Sequence, residues 1–138
     1  MSTRTKIFFA AAYVLHAFWI ILLASVPPVS RDALTHHLAV PKLWVESGGI
    51  YERPDILFSY YPQLLDIFYM LPVALGHDIA AKYLHFMFAL LTALLIYLFV
   101  RRRTGPSWAA LGGLLFLTLP LIVKLSVTVY VDLGLVFF

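Results

Sequence analysis

Residues 7–26 read IFFAAAYVLHAFWIILLASV, an apolar run in which only His16 and Ser25 are noticeably polar. About 20 such residues make a helix long enough to cross the hydrocarbon core of a bilayer. The apolar residues fill the whole circumference of that helix. A water-soluble helix would show a stripe. Arg4 and Lys6 precede the run, and the small residues Ala24 and Ser25 close it, as in a cleaved signal peptide. A signal's apolar region is usually only ~7–15 residues long, so a retained anchor is expected instead.

Outward from this run the pattern repeats. Residues 80–100 form a second block, with Lys82 and His85 in its first turns. Residues 108–123 form a third, containing Gly112, Gly113 and Pro120, and residues 126–138 begin a fourth that is incomplete. Hydrophobic residues make up 62% of the chain and charged residues 12%, the latter about half the roughly 25% of a soluble domain. The blocks predict an all-α integral membrane protein of transmembrane helices. There are no cysteines, which excludes disulfides and thiolate metal sites. The net charge of +3 comes from scattered basic residues, so a nucleic-acid partner is set aside.

Charge sets the expected orientation. Arg4 and Lys6 before the first block, and Arg101, Arg102 and Arg103 after the second, are five of the ten basic residues. Neither segment holds any of the seven acids. The positive-inside rule places both in the cytoplasm. Residues 27–79 then form an outer loop, too long to lack structure of its own.

Within that loop, residues 32–47 read as an amphipathic helix. Leu34, Leu38, Pro41 and Val45 share one face, and Thr35, Lys42 and Glu46 another. Pro41 should kink or interrupt it, and Gly48 and Gly49 should end it. The connector Tyr51-Glu52-Arg53-Pro54-Asp55 follows, and a second apolar helix is expected over residues 62–75. Such helices lie in the membrane interface, where Trp44, Tyr51, Tyr60, Tyr61 and Tyr69 suit an aromatic belt.

Six acids fall in the loop: Asp32, Glu46, Glu52, Asp55, Asp66 and Asp78. Asp32 stands before an apolar-periodic run, where a carboxylate caps a helix. It is also placed to take a proton from an alcohol, and the two roles are compatible. His36 lies four residues on, on the same helical face, as a proton carrier, a metal ligand or a contact to headgroups. The seventh acid, Asp132, is embedded in the fourth block. An ionisable residue within a span is a functional-site candidate, with a salt bridge or a position near the water boundary as the plainer readings.

Three stretches carry a family resemblance: Pro-Pro-Val-Ser-Arg-Asp32-Ala-Leu-Thr-His36-His37-Leu-Ala-Val-Pro41-Lys42, then Gly48-Gly49-Ile-Tyr51-Glu52-Arg53-Pro54, then Ser59-Tyr60-Tyr61-Pro62-Gln63. Together they resemble membrane glycosyltransferases of the GT-C fold, in particular the bacterial group related to protein O-mannosyltransferases and the lipid A aminoarabinose transferase. Asp32 matches the first acidic position of that group. Glu52 lies in its aromatic-acid-basic-proline stretch, and Asp132 matches its later acidic residue. Where many relatives carry an Asp-Glu pair, this chain has Asp32-Ala33, so the second acidic partner is lost there, with His36 or an acid elsewhere in the loop to compensate. Such enzymes have many more spans, and the chain reads as the N-terminal part of one, inactive alone.

The resemblance implies transfer of a sugar from a polyprenyl-phosphate donor to an acceptor at the outer face of a bacterial plasma membrane. Asp32 would be the catalytic base, with Glu52 and Asp132 as second acidic sites. Arg53, Lys42 and His37 would meet the donor phosphate, and Tyr60, Tyr61 and His36 would contact sugar or lipid. No cofactor is called for, and a divalent metal is left open. Two other classes compete. A transporter or flippase would place a polar cavity at the bilayer midplane, using Asp132 and His16. A small assembly subunit would need a completed fourth span.

Overall fold

A computed structural model describes residues 1–138, an all-helical chain without strands. Helix α1 covers Thr3–Ala24 and opens on Ser2, whose hydroxyl accepts from the Thr5 N–H at 3.2 Å. Next come a π turn, Ala33–His37, and α2, Ala39–Glu46. A 3₁₀ turn over Leu57–Tyr60 precedes α3, Leu64–Ala74. Helix α4 is the longest at 27 residues, Asp78–Thr104. It is followed by α5, Pro106–Thr118, α6, Pro120–Ser126, and α7, Asp132–Phe137.

Helices α1 and α4 are long and apolar enough to cross a membrane, with mean hydropathies of 2.3 and 2.2 in their most apolar stretches. Side chains such as Phe8, Leu15, Phe18 and Trp19 on α1 are more than half exposed. The basic cluster Arg101, Arg102 and Arg103 sits in the last turn of α4, where cations favour the carbonyl end of the helix. The Arg103 guanidinium lies 3.7 Å from the Phe99 ring centroid.

The third apolar block is bent. Helices α5 and α6 meet at 66°. Pro120 has no N–H to continue the ladder, and its ring forces Leu119 out of the helical region, to φ −58° and ψ 130°. The fourth block also departs from expectation. Ser126 ends α6, residues 127–131 are non-helical, and a helix resumes only at Asp132. The β-branched run Val127-Thr128-Val129 disfavours a helix. His85 supplies the bonds this break would leave unmade: its Nδ1 lies 3.1 Å from the Leu125 carbonyl and 3.0 Å from that of Thr128. Its Nε2 accepts from the Leu133 N–H at 3.1 Å. Since Nε2 accepts, Nδ1 carries the proton.

The loop folds over the ends of α1 and α4. Residues 31–46 are helical but not as one α-helix. Leu38 N–H bonds to the Ala33 carbonyl at 2.8 Å, five residues back, and so widens the turn. The cause is Pro41, whose ring would press on the His37 carbonyl four residues earlier. The wide turn rotates the buried face. Ala33, Leu38, Val40, Pro41 and Trp44 are buried, whereas Leu34, grouped with Leu38 and Pro41 on the apolar face by sequence, is 54% exposed. Helix α3 buries Leu65, Asp66, Tyr69 and Pro72 at helical spacing. Trp44 and Tyr69, assigned to an aromatic belt by sequence, are interior residues: Trp44 Nε1 donates to the Tyr51 carbonyl at 2.9 Å, and Tyr69 Oη to that of Tyr130.

Two adjacent glycines on α5 differ sharply. A Cβ at Gly113 would collide with the Tyr13 hydroxyl and approach the Ala93 carbonyl at 3.0 Å. At this point α1, α4 and α5 meet, and Tyr13 donates to the Ala110 carbonyl at 2.9 Å. A Cβ at Gly112 meets only Ile96 at 3.5 Å and Val100 at 4.0 Å. Gly113→Ala should therefore destabilise the bundle by about 1–3 kcal/mol through overpacking. Gly112→Ala should be neutral or stabilise it by up to ~1 kcal/mol through helix propensity. Unfolding of both variants in detergent tests this contrast, and equal stabilities would remove the close-packing argument.

Candidate functional site

The π turn, the 3₁₀ turn, α3 and α7 enclose a cleft of about 400 Å³. Its polar wall is His36, His37, Gln63 and Asp66, and its aromatic wall includes Phe58 and Tyr61. Val131, Gly134, Leu135 and Phe138 form the apolar side. A Cβ on Gly134 would run into the Leu65 side chain, so only glycine lets α7 approach α3 this closely.

At the base of the cleft, His37 Nδ1 lies 2.8 Å from Asp66 Oδ1. Asp66 is 1% exposed. A buried carboxylate needs such a donor, and its acceptance fixes the proton on Nδ1. The imidazole Nε2 is left for a ligand. The π turn sets this geometry by presenting consecutive histidines to the same cleft, with ring centroids 4.1 Å apart. Thr35 Oγ1 lies 3.0 Å from His36 Nδ1, and Phe58 stacks on the His36 ring at 4.5 Å. Gln63 Nε2 donates to the Phe58 carbonyl at 2.8 Å and holds that turn. Burial pulls the His36 imidazole below its ordinary pKa, and His37 adds to this, while Asp32 and Asp66 oppose it.

No family model matches the chain, nor does any curated protein or solved structure.

Of the residues singled out in the sequence, the cleft gathers His36, His37 and Tyr61. Asp32 is exposed just before the π turn. Its φ and ψ, −64° and −38°, are helical, and its side chain makes no capping bond. The helix begins at Ser30, whose carbonyl accepts from the Leu34 N–H at 3.2 Å. The capping role for Asp32 is thus corrected: the turn starts two residues earlier.

Exposed Glu52 and Tyr60 and half-buried Arg53 lie apart from the cleft. Tyr60 Oη donates to Glu52 at 2.7 Å. Arg53 clasps Asp55 through Nε at 3.0 Å and a second nitrogen at 2.8 Å. This pairing holds the Asp55 carboxyl below, and the Arg53 guanidinium above, their ordinary values. Lys42 is exposed and sits 4.0 Å from Glu46, a surface pair of small energy. Neither Lys42 nor Arg53 lines the cleft. Asp132, expected inside a span, is exposed in the first turn of α7. There its charge suits the amide end of the helix. No group of three or more His, Asp or Glu side chains is arranged to hold a metal ion.

Sequence reasoning passed over Asp66, Phe58 and Gln63 as site residues. Asp66 did leave a signal. It is the one charged residue within Leu64-Leu65-Asp66-Ile67-Phe68-Tyr69, an otherwise apolar helix. A carboxylate on such a face is buried with a partner or is a defect.

Proposed function

We propose that this chain is the membrane-embedded N-terminal part of a glycosyltransferase of the GT-C type, taking a polyprenyl-phosphate-linked sugar at the outer face. The observation that carries this reading is the cleft itself. It is largely apolar, yet it holds a largely buried His–Asp pair, and it lies between elements of the loop and α7. Such a site suits a ligand with an apolar tail and an anionic, hydroxyl-bearing head. Asp32 is proposed as the base for the acceptor hydroxyl, and it is exposed and unencumbered by a cap. His37, with Asp66 holding its Nδ1–H, is proposed to meet the phosphate by donating from Nε2–H, which requires the doubly protonated ring. The cavity among α1, α4 and α5 is lined by Tyr13, Leu90, Ala93, Leu94, Tyr97 and Ala110, without an ionisable acid or base of the kind a transport path uses.

In this reading α1, α4 and the bent α5–α6 pair lie in the bilayer, with the N-terminus and Arg101, Arg102 and Arg103 in the cytoplasm and the loop outside. The chain has no cysteine, so single introduced cysteines report cleanly. Ser47→Cys should react with an impermeant maleimide added outside intact cells, and Thr104→Cys only after the membrane is opened. Labelling of both from the same side would reject the topology. Transfer is tested in membranes carrying the protein from its uninterrupted reading frame, supplied with labelled polyprenyl-phosphate sugars. Failure to consume any such donor would remove the enzymatic reading.

A further inference from the structure

A second, smaller cavity of about 220 Å³ lies where α1 ends and α4 begins. Lys82, Ser30, Val26, Val29 and Thr128 are on its wall, and none of its residues belongs to the His–Asp cleft. Lys82 is 3% exposed. Its ammonium carries three donors, and the protein supplies one acceptor, the Val26 carbonyl at 2.7 Å. The ion pairs of the chain are His37–Asp66, Lys42–Glu46 and Arg53–Asp55, so no carboxylate offsets Lys82. In the same wall, the Ser30 hydroxyl oxygen is buried without a hydrogen-bond partner.

A buried cation and a buried hydroxyl thus belong to residues on the wall of one cavity that is short of acceptors. Both would be costly to leave so, and an oxyanion satisfies both.

We infer that the Lys82–Ser30 cavity binds the phosphate oxyanion of a membrane lipid. The cavity stands where the long apolar helices give way to the polar loop, which is phosphate depth in the proposed bilayer. The inference rests on the membrane reading and not on sugar transfer. The phosphate could belong to a polyprenyl phosphomonoester or to the phosphodiester of an anionic phospholipid, and the test separates these sources.

The full chain, purified in an uncharged maltoside, is titrated with dodecyl phosphate, with phosphatidylglycerol and with phosphatidylcholine, and the unfolding midpoint is followed. The midpoint should rise with at least one of the first two and much less with the zwitterionic lipid. A rise with dodecyl phosphate alone assigns a monoester, and a rise with phosphatidylglycerol alone assigns a phospholipid. Lys82→Met should weaken the response about ten- to a hundredfold, as expected for a charge-assisted bond. Lys82→Arg should retain most of it. Ser30→Ala, which removes a hydroxyl that makes no hydrogen bond within the chain, should weaken it about three- to tenfold, so the answer does not depend on Lys82→Met folding. The inference is overturned if neither phosphate lipid shifts the midpoint. It is equally overturned if Ser30→Ala and every folded Lys82 variant respond as the parent does. Because binding is read without turnover, a negative transfer assay leaves this result standing.

Discussion

Asp32→Asn is expected to remove nearly all sugar transfer while leaving the fold unchanged. Asp32 occupies a helical conformation and caps nothing. Its carboxylate therefore contributes little to stability, and an exposed amide of the same shape substitutes without strain. A general base typically contributes about 10²–10⁴-fold to rate, and asparagine cannot accept the proton. The measurement is initial transfer rate in reconstituted membranes beside thermal unfolding in detergent. A variant that unfolds like the parent but transfers within about threefold of its rate would show that Asp32 is not the base. The His37–Asp66 pair would then be the next group to test.

The second large effect concerns Asp66. Asp66→Ala removes one partner of a buried pair and leaves His37 Nδ1 without an acceptor. Breaking such a pair costs about 3–5 kcal/mol. The loss should appear as a lower unfolding midpoint and as faster amide exchange in α3 and the π turn. Asp66→Asn keeps an acceptor oxygen at Nδ1 and should recover most of this stability. It removes the charge behind His37, so donor affinity should still fall. The ¹⁵N resonances of the His37 ring provide a direct check: the parent and Asp66→Asn should hold the proton on Nδ1, and Asp66→Ala should release it. If Asp66→Ala melts with the parent, the pair is not a structural element of the cleft.

The loop helix departs from regular periodicity at one turn. The apolar spacing of Leu34, Leu38, Pro41 and Val45 assumes 3.6 residues per turn throughout. One five-residue hydrogen bond at Ala33–Leu38 breaks that assumption, turns Leu34 outward and brings Val40 and Trp44 inward. The proline that causes the wide turn was visible in the sequence, but its consequence depends on which neighbours the loop packs against. Asp132 shows the same limit from the other side. Its apolar flanks read as a span, whereas the helix breaks over residues 127–131, where His85, far earlier in the chain, bonds the Leu125 and Thr128 carbonyls and the Leu133 N–H.

By itself, the sequence determined the two long apolar helices, the basic cluster that ends the second, the helical loop between them, and the absence of thiol chemistry. These follow from composition and local periodicity, which act over a turn or two and need no distant partner. The bend at Leu119 belongs with them in principle, since Pro120 dictates it through its own ring. Only the tertiary structure decided which charges matter. It paired Asp66 with His37, neutralised Arg53 with Asp55, and left Lys82 buried without a counter-charge. A side chain's charge is legible in sequence, but its energy depends on burial and on partners far along the chain, 29 residues apart for His37 and Asp66 and 56 for Lys82 and the Val26 carbonyl, and that information exists only once the chain has packed.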